Sequence, residues 1–210
     1  LLSKASAEKD IKVLVRYKPT TANSASLPVE FIIPKLLDGP SCSIDYINEK
    51  IVGLDDNQAY QYFIGTNPKT TSSWISMKIS NGSFDISGIA ASTSKTINIR
   101  KAATTDEPIT NYTTIILPAR KTAPTTTVLE YNNADHYDKA VLTGITSDME
   151  YRASTSALWT SIDSNNVVLD IPTSNTTYYI RYKSTSDDFA SQSKSITLSK
   201  RATAPTSSYN

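Results

Sequence analysis

One cysteine, one histidine and six glycines in 210 residues remove several chemistries at once. A lone cysteine, Cys42, rules out an intrachain disulfide framework, although many exported domains do without one. It reads as a small apolar residue near a strand. The only histidine, His136, is also the only candidate base for a Ser–His–Asp triad, and no G-x-S-x-G elbow accompanies it. Zinc would need several His or Cys ligands. The net charge of +1 and a pI near 7.9 give no basic excess for nucleic acid. No apolar run is long enough to span a bilayer, and no signal-peptide core is present. No long stretch keeps a 3.6-residue apolar period, so a helical fold has no support.

Thr, Ser, Tyr, Ile and Val are abundant instead, and all but Ser favour half-buried pleated surfaces. One stretch recurs. It reads IRKAATTDEPITNYTTIILPARKTAP from Ile99, IRYKSTSDDFASQSKSITLSKRATAP from Ile180, and, more worn, VRYKPTTANSASLPVEFIIPKLLDGP from Val15. Each Arg precedes a Pro by 24 residues: Arg16 to Pro40, Arg100 to Pro124, Arg181 to Pro205. Three ungapped matches indicate an internal repeat. The steps between the arginines, 84 and 81 residues, suit small β-sandwiches better than solenoid repeats.

The unit from Pro40 to Ala123 reads as seven strands, at 43–47, 50–54, 59–64, 74–79, 83–86, 95–100 and 112–117. Asn81-Gly82 is a hairpin signal. The unit from Pro124 to Ala204 repeats the order, at 128–131, 140–143, 149–152, 159–162, 167–171, 177–181 and 194–198. Between its first two strands lies an extra polar segment, 132–138, which marks a loop where specific function would be sought. Seven short strands with turn signals predict antiparallel Ig-like sandwiches, all-β, in an elongated tandem array. Residues 1–39 then read as the last three strands of a truncated first repeat. Residues 40–123 and 124–204 are whole repeats, and 205–210 begin a further one. Half a sandwich leaves an apolar face and open edges, which also suggests protein binding by strand addition.

The sixth strand sets a register. Val13 and Val15, Ile97 and Ile99, and Tyr178 and Ile180 alternate, so they share the core face. Arg16, Arg100 and Arg181 fall on the opposite, solvated face. There each should lay its stem over a neighbouring strand and pair with a carboxylate or turn carbonyl. The competing reading makes each Arg a receptor for an anion or carboxylate.

The hairpin Met149-Glu150-Tyr151-Arg152-Ala153-Ser154-Thr155-Ser156-Ala157-Leu158-Trp159-Thr160 resembles the M-E-Y-S-x-D-G-x-x-W-T hairpin of one family: tandem Ig-like or fibronectin III-like repeats of large bacterial, mostly Gram-positive, surface proteins. The likeness continues in Tyr178-Tyr179-Ile180-Arg181 and in Leu117-Pro118-Ala119-Arg120-Lys121-Thr122-Ala123-Pro124. The D-G turn is missing from both units. The resemblance implies an exported, wall-associated chain, with this module as non-catalytic stalk, spacer or adhesive surface. Its partners would be neighbouring domains and host or cell-wall glycan or protein, with no membrane insertion and no cofactor.

Remaining chemistry is sparse. Trp74 and Trp159 hold equivalent places and are candidates for stacking on sugar rings, as in a carbohydrate-binding module accessory to a secreted glycan-active enzyme. The plainer reading makes each the anchor of its sandwich. Asp55-Asp56-Asn57, 163–166 and Asp187-Asp188 offer oxygen ligands for calcium, but none has EF-hand spacing. A Lys–Asn isopeptide bond would need a buried acid, for which Asp85 and Asp170 in the fifth strands are the candidates.

Overall fold

The computed structural model describes residues 9–68, 73–105, 107–133, 136–203 and 206, with backbone only at 132–133 and 136–138. Every regular element among them is a strand. The chain divides into two compact units. One holds residues 1–44, 50–86 and 95–117; the other holds 45–49, 87–94 and 118–210.

In the first unit, β1 (Ile11–Val15) and β2 (Val29–Ile33) form a two-stranded hairpin. A three-stranded sheet follows, ordered β3 (Ser43–Asp45), β4 (Lys50–Val52), β7 (Ser83–Asp85). A four-stranded sheet is ordered β6 (Ile75–Ser76), β5 (Tyr60–Ile64), β8 (Lys95–Lys101), β9 (Thr113–Leu117). Alternation fills the core: Ile97, Ile99, Ile115 and Leu117 are buried from one sheet, with Ile51 and Ile86 from around the other.

The second unit repeats this order. β10 (Val128–Asn133), β11 (His136–Thr143) and β14 (Val167–Asp170) make the three-stranded sheet. β13 (Thr160–Ser161), β12 (Met149–Ala153), β15 (Thr176–Tyr182) and β16 (Lys194–Leu198) make the four-stranded one. Ala140, Leu142 and Leu169 meet Met149, Ile162, Ile180 and Leu198 in one buried cluster. The fold is therefore an all-β, antiparallel, three-on-four sandwich of the Ig-like class.

The three recurring stretches share one register. Ile11 pairs with Ile33, Lys95 with Leu117 and Thr176 with Leu198, each followed by four further pairs in step. The following loops match as well. Thr110 Oγ1 accepts from Lys101 N at 3.0 Å and donates to Asn111 O at 2.7 Å. Ser191 Oγ does the same with Tyr182 N at 2.9 Å and Gln192 O at 2.7 Å. Asn111 N then donates to Leu37 O at 2.8 Å, and Gln192 N to Lys121 O at 2.9 Å. In both places the segment approaching the repeated Pro is held on the loop between the last two strands.

Four expectations need correction. The fourth strands are two residues long, because the chain swerves off the sheet edge. Met77 N and Ile162 N still bond back to Tyr60 O and Met149 O, while both side chains turn into the core. In the expected loop 132–138, residues 132–133 and 136–138 are strand: their backbone extends β10 and β11, with Asn133 opposite His136. Asp85 and Asp170 face solvent, so neither is the buried acid an isopeptide bond needs. The outer face of β8 is not solvated, as described below. The expected turn at Asn81-Gly82 is present: φ is 51° and 66°, and Ser80 and Ser83 exchange backbone hydrogen bonds around it. The fifth strand expected before residue 9 lies outside the described residues.

Candidate binding site

The repeated Arg and the repeated Trp meet on the outer face of each four-stranded sheet. The Arg100 guanidinium lies 3.9 Å over the Trp74 ring, and that of Arg181 lies 3.9 Å over Trp159. Register creates the meeting. Arg100 is opposite Gln61 on β5 and Arg181 is opposite Glu150 on β12, while each Trp immediately precedes the edge strand beyond. Both Trp rings are half-buried. Stacking of this kind contributes about 0.5–2 kcal/mol depending on desolvation.

The two sites then diverge in charge. Arg181 Nε donates to Glu150 Oε1 at 2.7 Å, and the two side chains are only 22% and 15% exposed. Arg100 Nε and one terminal amino group both donate to Gln61 Oε1, at 3.1 and 3.0 Å. Gln61 is neutral, so this second pair keeps a full positive charge. Arg100 is 9% exposed, and burial lowers its pKa from the ordinary arginine value. A guanidinium still holds its proton there. Of the carboxylate or turn carbonyl expected as partner of the repeated Arg, Arg181 has a carboxylate, whereas Arg100 has a side-chain amide from the neighbouring strand. Arg16 is exposed at the end of β1.

Beside Arg100 is a cavity of about 180 Å³, walled by Leu36, Pro68, Trp74, Ile109 and Tyr112, with Thr110 and Asn111 on its polar side. No carboxylate is among its described lining residues. A second cavity, about 260 Å³, lies on the β1–β2 hairpin between Val15, Arg16, Tyr17, Leu27, Val29 and Phe31. Several apolar side chains of this hairpin are open, Val15 among them against its expected place on a core face: Val15 and Phe31 are 52% and 53% exposed, where their counterparts Ile99 and Ile115 are buried. In the second unit a third cavity, about 480 Å³, is lined by Lys121, Asp148, Tyr182, Lys183, Ser184 and Thr185.

The other Trp site carries one more cation. Arg152 lies 4.4 Å over Trp159 and 5.6 Å over Tyr179, and its buried Nε has no hydrogen-bond partner among the described residues.

The remaining candidates hold structure. Asp55 Oδ1 caps Asn57 N at 2.9 Å and Asp56 Oδ1 caps Gly82 N at 3.0 Å. Ser164 Oγ bonds Asn166 O in the 163–166 turn. Asp188 pairs with Lys121 Nζ at 2.7 Å. Among the described residues no group of three His, Cys, Asp or Glu is placed to hold a metal ion. Cys42 is half-buried, its Sγ faces Pro40 O at 3.8 Å, and burial pushes its thiol pKa up, away from a reactive thiolate. The His136 side chain lies outside the description.

Two functional-looking contacts were not anticipated. Gln61 and Glu150 precede the recurring Tyr62 and Tyr151, a position whose change in charge was visible but unassigned. Within the second unit, Arg120 grips Glu49 with both terminal nitrogens, at 2.7 and 2.5 Å, and bonds Ala190 O at 3.0 Å. Its guanidinium lies 5.5 Å from the Phe189 ring centre, and Phe189 in turn contacts Tyr46.

No protein-family model matches the sequence, and no curated protein matches it. Solved structures do. The chicken interferon gamma receptor alpha chain aligns at 12% identity and a TM-score of 0.30, over 80% of this chain and all of that one. The FN1–FN3 domains of chicken CNTN1 align at 14% identity and a TM-score of 0.27, over 90% of this chain and 78% of that one.

Proposed function

We propose that this chain is a non-catalytic run of tandem sandwich repeats, serving as spacer, stalk or adhesive surface in a larger exported protein of a bacterial cell surface. The observation that carries this reading is the common register of the three hairpins, together with the matching bonds that hold Leu37 and Lys121 on the loops after them. A repeated joint built from the same backbone bonds suits a device whose work is to set distance. The open apolar face of β1–β2 is what the last two strands of another such sandwich would present. The bacterial surface assignment rests on the resemblance of the Met149–Thr160 hairpin, and its partners would be the neighbouring domains of the same longer chain.

Pulling single molecules by their ends tests the mechanical role. Two unfolding events are expected, each releasing roughly 250–300 Å of chain, the contour of one repeat. A single event spanning both repeats, or extension without resistance, would overturn it. Protease treatment of intact producing cells tests the location: peptides of this chain should appear in the medium.

A further inference from the structure

We infer that the cavity beside Arg100 is a carboxylate-binding site, taking an acid group with a short apolar body. Three observations lead there. First, a buried charge demands a partner, because removing a guanidinium from water is costly unless an anion or an equivalent set of acceptors replaces the solvent. Arg181 has that partner in Glu150; Arg100, at the same register position, has the neutral Gln61. Second, two of the five guanidinium N–H groups are spent on one amide oxygen, leaving three donors, and Arg100 lines an open cavity. Third, the cavity has the right chemistry for the rest of such a ligand. Leu36, Pro68 and Ile109 supply an apolar wall, Trp74 and Tyr112 supply aromatic surface, and Asn111 and Thr110 add polar groups. No described lining residue is an acid that would compete.

The volume bounds the ligand. About 180 Å³ is below the roughly 300–1,000 Å³ of ordinary small-molecule sites, so a single side-chain-sized group fits and a sugar chain does not. The group is either a free short-chain acid or a carboxylate carried on a peptide, and the two share one recognition chemistry. The planar fork of the guanidinium is matched to a carboxylate rather than to a halide.

Nuclear magnetic resonance of the whole chain tests this, following the Trp74 indole and the Thr110 and Asn111 amides. Sodium propionate is titrated at constant ionic strength, with propionamide as its uncharged counterpart. An acetylated, amidated tripeptide with a central Glu forms the second arm, with Gln in its place as control. Saturable shifts at these three groups are expected with the acids, and none with the amides. Saturation by propionate alone identifies the free-acid source, and tighter saturation by the Glu peptide identifies a partner's side chain. The substitution Gln61→Glu supplies an internal carboxylate and should weaken either acid by at least about 10-fold, while the fold is retained. Responses equal for acid and amide, responses equal at Trp159, no saturation with either acid, or undiminished binding by Gln61→Glu would each overturn the site.

Discussion

Arg181 Nε donates to Glu150 Oε1 at 2.7 Å while the same guanidinium stacks 3.9 Å over Trp159. The three side chains come from three neighbouring parts of one sheet, so the contact locks register across β12 and β15 and secures the edge beyond. Replacing Glu150 by Gln would copy the Gln61–Arg100 pairing. It should cost about 1–3 kcal/mol, the loss of a charge-assisted bond in a mostly buried place. Denaturant unfolding checks this, and an unchanged midpoint would show that Trp159 alone holds Arg181.

The pair Arg120 and Glu49 carries more. Both side chains are about 15% exposed, the geometry is two-pronged, and Ala190 O takes a further N–H. Removing one member leaves the other buried and charged. Glu49→Ala and Arg120→Ala should each destabilise by about 3–5 kcal/mol, and the double variant by less than their sum. Arg120→Lys should recover little, since an ammonium cannot make the two parallel bonds. Strict additivity in thermal unfolding would contradict a direct coupling.

The strand order was readable because each strand is a short alternating run of β-formers bounded by turn residues, and because the repeat could be used twice. Tyr60–Ile64 and Lys194–Leu198 fall within a residue of expectation. The outward partners were not readable. Arg100 meets Gln61 across 39 residues and Arg120 meets Glu49 across 71, so each contact depends on register that the local pattern does not contain. The burial of Arg100 followed the same logic: its neighbour Trp74 arrives from an edge segment whose path no periodicity marks. The sequence of 132–138 reads as a loop because a run of polar residues looks like a turn cluster, and no apolar alternation there marks the backbone pairing that joins Asn133 to His136.

Gly144 tests the turn between the two sheets of the second unit. Its φ is +66°, and a Cβ added there would sit 2.2 Å from Thr126 O, backbone that cannot swing aside. Gly144→Ala combines left-handed strain of about 1–2 kcal/mol with that clash, so a loss above about 2 kcal/mol is expected. Hydrogen exchange should show the loss at β10 and β11 first, since Thr126 Oγ1 is also bonded to Gly144 O at 3.0 Å. A variant as stable as the parent would mean that this turn has another conformation in solution.

Lys139 and Asp170 are cross-strand partners on β11 and β14, and Lys50 and Asp85 stand opposite each other at the matching place in the first unit. The Lys139 ammonium bonds the Asp170 carboxylate, and hydrogen bonding first, then charge, holds the Asp170 pKa below its ordinary value. The sign of the linkage follows. A carboxyl with a depressed folded pKa favours folding fully above its unfolded pKa, and that contribution fades as pH falls through the depressed value. Because Asp170 is exposed at the surface, salt should screen the effect. Carbon-13 titration of the Asp170 carboxyl should give a midpoint below the usual aspartate range in low salt, moving up in high salt. Lys139→Met should bring it to the ordinary value and flatten the acid limb of the stability profile. A midpoint indifferent to both changes would mean that the ion pair does not persist in solution.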